Sequence, residues 1–242
     1  MGTDVGGERK GFDVAVLDDD LQLVHIGERL GVPAVVHLIR VWSPMVVAID
    51  SPRGLAPAGA HLRQCERQLN GAICGIRWTP DRAAINSSSY HSWIRCGFSL
   101  YDELQALTAV EVIEVFPTAS WTRWIGKRVG SRARWTKEGL ASLPITEVPP
   151  RNNQDLGDAV AAALTAWQYS TGQSDGGRPP RLQGIRNRTR QLVLRLPLTA
   201  PGRVQNNAPE RRRPDAEGHV RCARVWQAGS ASGDAGYAAN RQ

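Results

Sequence analysis

The sequence predicts an α/β fold: one mixed sheet of three antiparallel strands followed by two parallel strands, with flanking helices. Three observations carry this expectation. The opening residues alternate and double back as strands do. Two later runs, "PMVVAID" (44–50) and "VEVIEVFP" (110–117), are apolar and β-branched, the pattern of strands buried on both faces. Helical segments separate those runs, which parallel neighbours require.

Taken in order, Met1 to Val5 reads as the first strand, joined through "GGERK" to the strand "GFDVAVLD". "DDD" makes a turn and "LQLVHIG" returns as the other arm of a hairpin. "ERLGVPAVVHLIRVW" reads as a helix with Pro33 near its first turns, where a missing N–H costs little. "PMVVAID" is the fourth strand. "SPRGLAPAG" is a loop that opens the helix "AHLRQCERQLN". Residues 71–98 are irregular and rich in Gly, Trp and Ser, and are expected to form an insertion. "SLYDELQAL" reads as a short helix capped by Ser99, and "VEVIEVFP" as the fifth strand. Helical segments follow to about Leu143, and a further helix opens at Asn152.

Residues 1–172 suit one domain with one core. They hold 17 Lys+Arg against 18 Asp+Glu, whereas residues 173–242 hold 13 Arg against 5 acids. The net charge of +7 therefore belongs to the tail, whose Arg/Gly/Pro-rich composition predicts a mobile segment; "RQLVLRLP" within it is the one candidate edge strand. No apolar run is long enough to span a bilayer, and the first residues lack the apolar centre of a signal peptide. The four cysteines show no CxxC pairing, which predicts reduced thiols and a cytoplasmic protein. Cys65, Cys74, His91 and Cys96 match no standard zinc spacing and read as scattered core thiols.

Carboxylates mark the candidate site. Asp4 stands near the end of the first strand, Asp50 ends "VVAID", and Glu114 lies inside "VIEVF". Open α/β sheets bind ligands beyond the carboxyl ends of their strands. In "NNQDLGDAVAAALTAW", Asp155 and Asp158 are three residues apart, about 60° on a helix, so they share a face. That face continues as Ala161, Ala162, Thr165 and Ala166, small residues suited to close packing against the sheet and not to solvent. Singly, each acid has a structural alternative: cap, helix-dipole partner or turn initiator. Together they would repel one another and raise each other's pKa, a conflict that a divalent cation relieves. Oxygen-only ligation suits Mg²⁺ or Mn²⁺.

The segments "DVGGERKGFDVAVLD", "VVAIDSPRGLAPAG", "VIEVFPTASW" and "QDLGDAVAAALTAW" resemble the domain of unknown function 429 family, regarded as predicted nucleases on an RNase H-like fold. The resemblance covers most of residues 1–172. It implies a first-strand acid at Asp4, a fourth-strand acid at Asp50, and a last-helix DxxD at Asp155 and Asp158, as in Holliday-junction resolvases of that superfamily. Glu114 has no fixed counterpart there and is added from its position alone.

The implied chemistry is phosphodiester hydrolysis by two ions about 3.5–4 Å apart. Asp4 would bridge them, Asp50 and Asp158 would complete the set, and Asp155 or Glu114 would add a ligand. From Val115 to Lys137 there are no acids, and Arg123, Lys127, Arg128, Arg132, Arg134 and Lys137 alternate with Trp121, Trp124 and Trp135. Basic groups contact phosphates and exposed tryptophans stack on bases, so nucleic acid is the expected partner; the tryptophans equally suit a helix core with solvated charges. Arg53, in "SPRG", suits a phosphate contact or an ion pair. Other readings remain: a binding protein that has lost catalysis, or a nucleotide phosphate-handling protein, since "DVGG" after a strand suits a phosphate turn. No GxSxG motif or Cys/His arrangement supports an unrelated small-molecule hydrolase.

Overall fold

The structure, a computed structural model, describes residues 1–76, 78–107, 110–148 and 153–172. The Arg-rich tail and its candidate edge strand lie outside the described residues. The elements run β1 (Gly2–Val5), β2 (Phe12–Leu17), β3 (Leu23–Leu30), α1 (Val32–Trp42), β4 (Val46–Asp50), α2 (Gln64–Ala72), a 3-10 turn (Ser89–His91), α3 (Ser92–Leu104), β5 (Glu111–Glu114), α4 (Pro117–Ile125), α5 (Arg132–Ser142) and α6 (Gln154–Ser170). They build one five-stranded sheet in the order β3-β2-β1-β4-β5. The first three strands are antiparallel neighbours, and β1–β4 and β4–β5 are parallel. This is the expected mixed sheet, three antiparallel strands followed by two parallel ones.

Strand alternation divides the core between the two faces. On one, Val5, Phe12, Val14, Val47 and Ile49 pack with Val35, Ile39, Leu100 and Tyr101 of α1 and α3. On the other, Ala15, Ala48 and Ile113 lie under α6, whose Ala159, Val160, Ala162, Ala163 and Leu164 are buried with Trp121, Trp135 and Leu140 of α4 and α5. Fully buried Val160 and Leu164 each contribute roughly 1.5–3 kcal/mol.

The close seating of α6 depends on small residues. Gly2 is in register with Ala15 and Ala48 across the three central strands. A Cβ at Gly2 would lie 2.0 Å from the Ala163 nitrogen and 2.3 Å from the Ala159 carbonyl oxygen, so the α6 backbone rests directly on β1. Of the small face expected to meet the sheet, Ala162 and Ala166 do, while Thr165 turns to Ser120 of α4 and Ala159 and Ala163 take the place against Gly2; the helix is buried on nearly every side.

Helix α2 opens at Gln64 and not at Ala60, and the boundaries of α1 and α3 also differ from expectation. Residues 28–30 belong to β3 and not to a helix, because Leu30 pairs with Phe12 on β2. The helix starts after Gly31, with Pro33 in its first turn. The insertion also ends before Ser92, so Ser99 lies within α3 and is not its cap; its hydroxyl donates to the Arg95 carbonyl. Ile94, Gly97, Leu100, Tyr101 and Leu104 form the buried stripe that extends this helix. Gly97 allows it to abut Ser51, immediately after β4: a Cβ there would be 2.0 Å from the Ser51 hydroxyl.

Candidate metal centre

Asp4 is in register with Asp50 on parallel β4 and with Asp13 on antiparallel β2. Alternation sends all three side chains to the α6 side: Gly2, two residues before Asp4, touches α6, and Ala48, two before Asp50, packs with Ala162. Asn153 caps α6 by accepting from the Leu156 N–H at 2.7 Å, which puts Asp155 in the first turn and Asp158 one turn on. The N-terminal end of α6 thereby brings Asp155 and Asp158 to the row of strand acids.

The electrostatics centre on Asp4. Burial is the first cause that pushes its carboxyl up to about 8, and the charges of Asp158, Asp155 and Asp13 act in the same direction against Arg132. Asp50 is raised well above the usual carboxylate range, first by burial and then by Asp4 and Asp158; its hydrogen bond with Asp4 further favours the protonated form. Burial also raises Asp158, opposed by Arg132 and by the Trp121 indole. Like charges held close out of water cannot all ionise without a cation.

The flanking acids have partners of their own. The Trp121 Nε1–H donates to Asp158 Oδ1 at 3.0 Å, and an Arg132 Nη donates to Asp158 Oδ2 at 2.6 Å. Lys10 reaches Asp155 Oδ2 at 2.7 Å across the solvent-exposed rim. The Arg29 backbone N–H donates to Asp13 Oδ1 at 2.9 Å. Among the described residues, no group of three or more Asp, Glu, His or Cys side chains is arranged to hold a metal ion. In donor chemistry the patch fits a hard divalent cation: its ligands are all carboxylate oxygens, and the Asp4–Asp50 pair already shares one register position.

Glu114 does not join this set, which corrects the expectation from sequence. It is in register with Ile49, not Asp50, and so faces the α1–α3 side of the sheet. Arg63 grips it with two Nη–H···O bonds, 2.8 Å to Oε2 and 2.5 Å to Oε1, and the Arg53 backbone N–H donates to Oε2 at 2.8 Å. Arg63 also donates through Nε to buried Glu66 at 3.0 Å. Arg53 is engaged on the same side: its Nη1 donates to the Val112 carbonyl at 3.3 Å, and its guanidinium lies 5.7 Å from the Tyr101 ring centre. Of the two readings open for Arg53, the ion pair is not seen among the described residues: its side chain instead holds a backbone carbonyl and a ring on the α1–α3 side.

Trp121 corrects a second expectation. It is 0% exposed and so offers no face for a base to stack on. It belongs to the site in another role, as the indole that holds Asp158. Trp124 is half-buried and packs edge-to-face on Trp121 at 5.5 Å. Arg123, Lys127 and Arg128 are exposed. Sequence reasoning missed Asp13, Lys10 and Arg63. Asp13, a lone acid among apolar residues of a strand, carried a legible signal; the long-range ion pairs of Lys10 and Arg63 carried none.

The family described as protein of unknown function (DUF429) matches residues 2–180. The chain belongs to the DUF429 family. Solved structures similar to this family member include "Thermus thermophilus RuvC structure", 17% identical with a TM-score of 0.38, covering 71% of this chain and 95% of that chain. A second is "T. thermophilus RuvC in complex with Holliday junction substrate", 18% identical with a TM-score of 0.35, covering 71% and 94%. No curated protein matches the chain significantly.

Proposed function

We propose that the chain is a divalent-metal-dependent nuclease that hydrolyses phosphodiester bonds in nucleic acid. The observation that carries this is the Asp4–Asp50 register pair: two acids on adjacent parallel strands, crowded by Asp158 and short of positive charge. In this reading Asp4 and Asp50 hold Mg²⁺ or Mn²⁺, Asp158 is the third ligand, and Asp155 stands at the rim. Bound there, the ions supply a water of lowered pKa and a Lewis acid for the leaving oxygen. Trp121 fixes the Asp158 carboxylate through Oδ1, leaving Oδ2 as its exchangeable oxygen. The exposed Arg123, Lys127 and Arg128 offer charge to the phosphate backbone, which positions the strand without reading its sequence.

The test is Mn²⁺ titration of the wild type and Asp50→Asn, run beside a cleavage screen on single-stranded, duplex and branched DNA and RNA. We expect Asp50→Asn to weaken Mn²⁺ binding by about tenfold or more, since changes merely adjacent to metal ligands have effects of this order, and to abolish cleavage. Equal affinity in both proteins removes Asp50 from the site. Nucleic-acid binding indifferent to Mg²⁺, with no cleavage of any substrate, favours a binding protein that has lost catalysis.

A further inference from the structure

Arg132 is the first residue of α5, following the N-cap Ser131. Its Nη donates to Asp158 Oδ2 at 2.6 Å, the oxygen that Trp121 leaves untouched. The two side chains differ in exposure: 31% for Arg132 and 3% for Asp158, so the cation enters the patch from the solvent side. Its charge also reaches Asp4 and Asp50, where it opposes the repulsion among the acids. Its Nε–H is buried and has no hydrogen-bond partner. A buried charged donor without an acceptor is costly, and a guanidinium edge carrying Nε–H is shaped to take two oxygens of one phosphate.

We propose that Arg132 is a built-in stand-in cation: it occupies the acid patch until a divalent ion displaces it, and the released guanidinium then binds a phosphate of the nucleic acid. This rests on the nuclease reading and adds a loading step to it. The ion and Arg132 compete for Asp158 Oδ2, so the metal-free protein holds a complete ion pair where the loaded protein holds a metal ligand. The exchange couples the two ligands. Metal binding frees the guanidinium, and a phosphate that takes it makes return to Asp158 unfavourable.

The test uses EDTA-treated full-length wild type, Arg132→Gln, Arg132→Lys and Asp50→Asn. Mn²⁺ affinity is measured by calorimetry, and binding of a short labelled DNA is measured with Ca²⁺ or EDTA across a salt series. Arg132→Gln is expected to bind Mn²⁺ more tightly, by roughly tenfold, the scale of changes at groups contacting a metal ligand. Arg132→Lys keeps a cation and is expected near wild type. With Ca²⁺, the salt slope of DNA binding is expected to fall by about one in Arg132→Gln, the loss of one phosphate contact. In EDTA, where Asp158 retains the arginine, the two slopes are expected to coincide.

Unchanged or weaker Mn²⁺ binding in Arg132→Gln, with Asp50→Asn still weakened, overturns the role of Arg132 and leaves the metal centre standing. If Asp50→Asn matches wild type, the underlying site falls and this proposal with it. An Arg132→Gln protein that melts early in EDTA but is restored by Mn²⁺ supports the exchange. One that Mn²⁺ does not restore shows a structural brace and overturns it.

Discussion

Glu114 and Asp50 end neighbouring parallel strands, yet they face opposite sides of the sheet and meet opposite surroundings. On the α1–α3 side, Glu114 and Glu66 share the fork of Arg63, with a backbone N–H from Arg53 and Thr79 completing the set. Nearly every oxygen there has a donor, the condition under which buried carboxylates persist. On the α6 side, Asp4, Asp13, Asp50 and Asp158 crowd together with Arg132 as the guanidinium among them. The two clusters use the same residue types a few ångströms apart in register. The difference separates two uses of the same residue type: a neutralised acid holds the fold together, and an excess of acids is the feature on which the proposed cation site rests.

Substitutions can break this contrast. The largest expected effect is that of Arg63→Ala. It strands Glu114 and buried Glu66 without their cation, and removing one partner of a buried pair costs about 3–5 kcal/mol. Urea denaturation measures the loss. A change below about 1 kcal/mol, the worth of an exposed pair, would mean that the α1–α3 cluster is no more structural than the acid patch.

Asp4→Asn comes next and acts in the opposite sense. The Asp4 carboxyl has an ordinary value of 3.8 and is raised to about 8 in the fold. Between those values the folded state holds a proton that the unfolded state has released. Stability from this group is therefore full below about pH 4 and is lost as pH climbs through about 8. Measured in EDTA, Asp4→Asn is expected to flatten that decline and to gain on the order of 2–4 kcal/mol over wild type near pH 8, at 1.36 kcal/mol per pKa unit with allowance for coupling to Asp50. Parallel wild-type and mutant curves would show that Asp4 is not strained by its neighbours. Saturating Mn²⁺ is expected to remove most of the wild-type decline, because a bound cation replaces the proton.

Gly2→Ala is smaller, about 1–3 kcal/mol as for overpacking. The added Cβ would strike the α6 backbone at Ala163 and Ala159, which is not free to turn aside. Lifting α6 also carries Asp158 away from Asp4. The substitution should thus weaken Mn²⁺ binding while leaving the Arg63–Glu114 cluster untouched. Calorimetry in the refolded protein checks this; unchanged affinity would separate the seating of α6 from the geometry of the patch.

The parts of this contrast that were legible in the sequence are the local ones. The strand runs, the strand-end acids Asp4 and Asp50, and the helical Asp155–Asp158 pair each follow from periodicity within a few residues. Their convergence followed from topology, because parallel β1 and β4 deliver their ends to one edge. Glu114 was misplaced because a strand displays alternate residues on opposite faces, and only the register with Ile49 tells which face it takes. The choice between base stacking and core for Trp121 could not be made locally, because basic neighbours in sequence say nothing of its 0% exposure beneath α5 and α6. The Arg63–Glu66 pair is local, but Glu114 lies far along the chain from Arg63, as Asp158 does from Arg132, and no local pattern encodes those two pairs.

The smallest expected effect is that of Lys10→Ala, and its smallness is informative. Lys10 and Asp155 form an ion pair of 2.7 Å with side chains 67% and 36% exposed. Water and salt screen such a pair, so its removal should change stability by less than about 0.5 kcal/mol, and by nothing measurable in high salt. The hydrogen bond to Asp155 is the chief reason the Lys10 ammonium is raised above its usual value. Losing it frees a carboxylate at the rim without exposing the crowded interior of the patch. Denaturation in low and high salt separates the outcomes. A salt-resistant loss above about 1 kcal/mol, outside the range of exposed pairs, would place Lys10 among the charges that balance Asp4. The α6 side would then be closer to neutral than its acids imply, and the case for an external cation would weaken in proportion.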